Sequence, residues 1–131
     1  MMIDMNDKPD KIKSFEDLKT WQEAHKLVLA IYACTKEFPK YEQFGLSSQV
    51  QRAAVSVSSN IAEGFSRRTA KEKAQFYHQA NGSLTEVKSQ LLIAKDVGYI
   101  TLNRFNETAG LANYTQALLQ GLLKSTRTKY D

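Results

Sequence analysis

Only two prolines, Pro9 and Pro39, occur in the 131 residues, so after residue 39 nothing in the chain forbids a helix. Turn-forming clusters are equally sparse, and the segments between them carry apolar residues at three-four spacing with no strand-like alternation. The first segment opens at Ser14, with Asp17 placed for a capping box, and carries Leu18, Trp21, His25, Val28, Ile31 or Tyr32, and Thr35 before closing at Phe38-Pro39. The second runs Leu46, Val50, Ala53, Val57, Ile61, Gly64. Thr69 and Glu72 cap the third, whose stripe is Phe76, Ala80, Leu84, Val87, Leu91 and Ala94, and Gly98 suits its left-handed end. Thr101 caps the fourth, with Leu102, Phe105, Ala109, Ala112, Gln116, Leu119 and Leu123 in rhythm. Four helices, each about 30 Å long and joined by short connections, predict an all-α, up-down-up-down antiparallel four-helix bundle.

Composition supports one domain. The length suffices for a core without disulfides or a structural metal, and the apolar fraction of 42% with 24% charged residues excludes disordered and fibrous classes. Residues 1–13 read as a flexible tail without signal-peptide or lipidation features, and residues 14–128 as the bundle. No apolar run is long enough to cross a bilayer, and the lone Cys34 has no partner for an intramolecular disulfide, so a cytoplasmic protein is expected.

Net charge is +4, and its distribution matters more than its size. In an antiparallel bundle the start of the first helix, the second turn and the end of the fourth share one pole. There stand Lys11, Lys13, Lys19, Arg67, Arg68, Lys71, Lys73, Lys124, Arg127 and Lys129, against Asp10, Glu16, Asp17, Glu63, Glu72 and Asp131. At the other pole Lys36, Lys40, Lys95 and Arg104 are balanced by Glu37, Glu42, Asp96 and Glu107. The excess charge therefore lies at one end. Arg67, Arg68, Lys71 and Lys73, beside the free amides of a helix start, have the chemistry to hold phosphate, with Lys13, Lys19, Lys124 and Arg127 in support. Phe65 is the one exposed aromatic expected there, which leaves base stacking a minor role.

The second helix has a further face. Ala54, Val55, Ser58 and Ala62 lie off its core stripe, and Arg52, Ser56, Ser59, Asn60, Glu63 and Arg67 form a polar row at three-four spacing. Together they read as an interface between copies of the chain, with Gly82 of the third helix packing closely against the small side of the second. The competing reading of the row is a substrate site built on Glu63. A di-iron site is not expected, because Gln22 and Gln75 stand where Glu-x-x-His would need glutamate before His25 and His78. His25 is expected to be partly buried and hydrogen-bonded, His78 solvated, and Cys34 a small hydrophobe. No nucleophile elbow, phosphate loop or dinucleotide fingerprint is present, so no metal, cofactor or enzymatic activity is expected.

Several of these residues resemble one family. Phe15-x-x-Leu18-x-x-Trp21-x-x-Ala24, Ile31-Tyr32, Phe38-Pro39, Gly45-Leu46-x-x-Gln49 and residues 52–56 are similar to the opening of the bacterial four-helix-bundle proteins named after 23S rRNA intervening sequences. Ser59-Asn60-Ile61-Ala62-Glu63-Gly64 is the most characteristic element, followed by Phe76, Ala80-x-Gly82-Ser83-x-x-Glu86 and Gly98-Tyr99. The resemblance implies a homo-oligomer, described for the family as a pentameric barrel, with nucleic-acid binding. A related accessory variability protein of diversity-generating retroelements looks like the same fold and binds nucleic acid and a reverse transcriptase. The family has no assigned activity. Two readings stay open: a homo-oligomer binding RNA or DNA backbones through its basic pole, and a scaffold for a reverse transcriptase or other protein partner.

Overall fold

The computed structural model describes residues 12–130, and side chains through Arg127. Four helices, α1 (Lys19–Thr35), α2 (Leu46–Ser66), α3 (Ala70–Asp96) and α4 (Leu102–Tyr130), carry the fold, with short 3-10 turns at Phe15–Asp17 and Lys40–Glu42. Each helix packs on its two neighbours, α1 on α2 and α4, α3 on α2 and α4. The pairing is antiparallel throughout. Thr35 near the end of α1 accepts from Gln51 near the start of α2, Ser56 meets Ser83 across α2 and α3, Lys88 of α3 reaches Gln116 of α4, and Cys34 meets Thr108. This is the expected all-α bundle. The calls on residues 1–11 fall outside the described residues; Ile12 already rests against the core.

Local chemistry sets most boundaries. The Thr69 side chain accepts from the Glu72 amide at 3.1 Å and Glu72 returns a bond to the Thr69 amide, starting α3. At its far end Gly98 takes φ 84°, and the Tyr99 amide reaches back to the Ala94 carbonyl at 2.8 Å, a Schellman closure. Thr101 caps α4 through the Arg104 amide. Ser14 and Asp17 behave differently from expectation. Asp17 gathers the amides of Lys13 and Ser14, but the box closes only a 3-10 turn, and extended Leu18 separates that turn from α1.

That break resets the phase of the first helix. Its buried face is Ala24, Leu27, Ile31 and Cys34, while His25 and Tyr32 are exposed and Trp21 is half-buried. His25 is therefore no core residue; it stacks on Trp21 at the surface. In α3 the expected stripe is observed from Ala80 through Leu84, Val87, Leu91 and Ala94, and only its first position differs, Tyr77 entering the core in place of Phe76. The expected stripes of α2 and of the later half of α4 are the ones observed, through Val57, Ile61, Ala112, Leu119 and Leu123.

The seam between α2 and α3 is the most extensive in the bundle. Gly64 makes it possible: a Cβ there would stand 2.6 Å from Tyr77 Cε1 and 3.1 Å from Phe76 Cβ. Gly82 does not serve this purpose. It is exposed, with nothing within 4 Å of where its Cβ would be.

Candidate nucleic-acid interface

The turn from α2 to α3 is built first by backbone needs. Lys73 extends its Nζ to the Phe65 carbonyl at 2.6 Å and lies over the Phe65 ring, closing the negative end of α2 with a cation. Arg67 is also engaged. Its Nη2 donates to Glu63 at 2.6 Å, its guanidinium covers the Phe76 ring at 4.6 Å, and its Nε is buried without an acceptor. Lys19 shares Glu23 with Lys26, at 3.3 and 3.0 Å. These three cations hold the pole together.

The remaining expected residues face outward. Lys13, Arg68, Lys71, Lys124 and Arg127 are exposed, and the structure gives none of their side chains a hydrogen bond or ion pair. The acids around them are largely committed. Asp17 serves the amides of Lys13 and Ser14, Glu72 that of Thr69, Glu63 is held by Arg67, and Glu23 lies buried between two lysines. The hydrogen bond from Lys26 holds the Glu23 carboxyl below its ordinary value, against the burial that pushes it up, and Lys19 adds to the pull. The pole thus presents five outward cations beside exposed acids, Asp17, Glu63 and Glu72, that are bonded to local amides or to Arg67, and Glu16, which accepts from Ser14. Lys11 and Lys129 fall outside the residues whose side chains are described.

Aromatic side chains at this pole differ from expectation. Phe65 is half-buried under Lys73. The exposed ring is instead His25 of α1, which ends a ladder whose other members, Phe15 and Trp21, are half-buried like Phe65. Phe15 meets Trp21 edge-on at 5.0 Å, and Trp21 and His25 stack at 4.9 Å with their planes 15° apart. The i, i+4 spacing of Trp21 and His25 was visible in the sequence, but both had been placed on the core stripe.

The polar row of α2 divides by direction. Ser56 and Asn60 turn into the seam, where Ser56 bonds Ser83 at 2.8 Å and Asn60 Nδ2 reaches the Ser56 carbonyl at 2.9 Å. Ala54 is fully buried in the chain's own core and offers a second copy no surface. Ser58 donates to the Val55 carbonyl, and Ala62 is half-buried. Arg52, Val55, Ser59 and Glu63 remain outward, and Arg52 and Val55 border a 510 Å³ groove shared with Tyr32, Ser48, Gln51 and Ser56.

Among the described residues no three His, Cys, Asp or Glu side chains gather where they could hold a metal. Cys34 is buried against Thr108, and burial pushes its thiol up, keeping it protonated. No helix among the described residues is long and apolar enough to cross a membrane.

At the opposite pole charges pair and apolar groups are bare. Arg104 grips Glu37 at 2.6 Å, while Tyr41 and Phe44 are 78% and 90% exposed. There the Tyr99 hydroxyl donates to Glu42 at 2.7 Å and meets the Tyr41 hydroxyl at 3.1 Å, while Glu42 also accepts the Leu46 amide at the head of α2. The bonds to Tyr41 and Glu42 hold the Tyr99 phenol well above its ordinary value.

Comparison with known proteins agrees with this architecture. A solved structure from Bacteroides thetaiotaomicron, a protein of unknown function from the S23 ribosomal protein family, superposes with a TM-score of 0.75. It is 18% identical, and the match covers 80% of this chain and 98% of that one, a likeness of fold. No curated protein matches. Residues 16–121 match the family model of the 23S rRNA-intervening sequence protein, a span that includes all of α1, α2 and α3 and the Ser59–Gly64 signature. The chain belongs to the 23S rRNA-intervening sequence protein family.

Proposed function

We propose that this protein is a non-enzymatic, self-associating bundle whose basic pole binds RNA or DNA backbones with little sequence preference. The observation that carries the reading is the set of outward cations, Lys13, Arg68, Lys71, Lys124 and Arg127, drawn from three chain segments to one pole where Asp17, Glu72 and Glu63 are exposed but bonded to local amides or to Arg67. Phosphate contacts from one copy are few. Repetition around an oligomer, through the outward strip of Arg52, Val55, Ser59 and Glu63, would raise the effective concentration of the rest and steepen the salt dependence.

The test is a salt series with unrelated RNA and duplex DNA. Arg68→Glu/Lys71→Glu is expected to lower affinity at least tenfold at low salt and flatten the salt slope. Lys73→Met, which removes a helix cap, is expected to lower stability and leave the slope unchanged. Unchanged affinity in the double variant would sink the basic-pole reading. The bare Tyr41 and Phe44 favour a second reading, a scaffold that docks another protein at the far pole. That reading predicts a wild type that binds no nucleic acid even at low salt. Native mass checks self-association in both cases, with Val55→Arg expected to shift it toward monomer.

A further inference from the structure

Flat π-surface is rare on a helical bundle, because rings are the side chains most useful to its core. Here three rings meet at the margin of the core, two of them half-buried and one exposed. Phe15 holds Trp21 edge-on, and the imidazole of His25 lies nearly parallel to the indole at 4.9 Å. His25 is exposed and takes no hydrogen bond within the described residues. The ladder also has an address. The 3-10 turn carrying Phe15 packs against α2, and because α2 runs antiparallel to α1, the contact falls at the end of α2 where Arg68 and Lys71 follow. Lys13 is exposed two residues before Phe15.

We infer that Phe15, Trp21 and His25 form a stacking platform for one unpaired nucleobase, so that the basic pole takes single-stranded or looped nucleic acid in preference to duplex. The inference rests on the nucleic-acid reading above and sharpens it. In a duplex every base face is covered by its neighbours and the platform has nothing to accept. In a single strand one base continues the Trp21–His25 stack while Lys13, Arg68 and Lys71 meet the flanking phosphates, an arrangement indifferent to base identity because every base has a π-face.

Trp21 is the only tryptophan in the chain, so its emission reports on the ladder directly. The intact protein would be titrated with an oligoadenylate 12-mer, an abasic strand of equal phosphate count, and an RNA duplex. Oligoadenylate is expected to bind on the order of tenfold tighter than the abasic strand and to change Trp21 emission, which the abasic strand does not. His25→Leu keeps Trp21 covered but removes the flat face; it should abolish the tenfold preference while leaving duplex affinity and native mass unchanged. Equal binding of base-bearing and abasic strands, with duplex binding intact, overturns the platform and spares the basic pole. Failure of all three ligands to bind overturns both. A changed native mass in His25→Leu would assign the ladder to a subunit contact and overturn the platform as well.

Discussion

Gly64 and Gly82 both lie inside helices, yet replacing them with alanine should move stability in opposite directions. A methyl group at Gly64 meets Tyr77 Cε1 at 2.6 Å and Cδ1 at 2.9 Å, in a ring that is itself 2% exposed and has no room to retreat. Gly64→Ala should cost about 1–3 kcal/mol through overpacking. At Gly82 the methyl points into open space, and Gly82→Ala should gain about 0.5–1 kcal/mol from the stiffer unfolded chain. Urea midpoints measure both, and equal signs would contradict the packing described. Glu23 gives a pH signature at the same scale. Its carboxyl is held below the ordinary value of 4.5, so the unfolded chain takes up the proton first and stability falls as pH drops below that value. Glu23→Gln should lower stability by about 1 kcal/mol at pH 7, a modest figure because both lysine partners are largely exposed, and should weaken the acid sensitivity. Denaturation at pH 7 and below pH 4 separates the two effects.

Helices differ in how plainly their residues announce the faces they bury. In α2 a single aliphatic row, Val50, Val57 and Ile61, has no rival, and sequence and structure coincide. In α1 two rows compete. Trp21, His25 and Tyr32 form one row with large ring surfaces and Ala24, Leu27, Ile31 and Cys34 another, and the structure buries the second. That choice depends on how the chain packs and is invisible to periodicity. Capping was the more readable signal, because Thr69 with Glu72, Gly98 and Thr101 act through neighbours three to five residues away. The candidate site was half-readable for the same reason. Which cations share a pole follows from topology, but that Lys73 caps α2 and Arg67 covers Phe76 depends on contacts that sequence spacing does not contain.

At the scale of the whole molecule the two poles are chemically unlike, one with a surplus of outward cations over acids that are mostly bonded locally, the other charge-paired with exposed Tyr41 and Phe44. The hydroxyl bond from Tyr99 to Glu42 at the second pole has a topological consequence. It joins residues 57 apart in sequence, and since the chain between them contains α2, α3 and their tight turn, it closes that hairpin into a circuit. The bond shortens the loop that the hairpin closes, and the Gly64 seam packs its interior. The hairpin is expected to open as a cooperative unit, with the outer helices exchanging first. Amide exchange should be slowest within α2 and α3, and Tyr99→Phe should speed exchange at Leu46 and along the start of α2 more than anywhere in α1. An exchange map in which α1 outlasts both inner helices would break the circuit argument. If it holds, the turn that carries Arg68 and Lys71 is held taut at the closed end of a loop, and the cations stay set while the outer helices open.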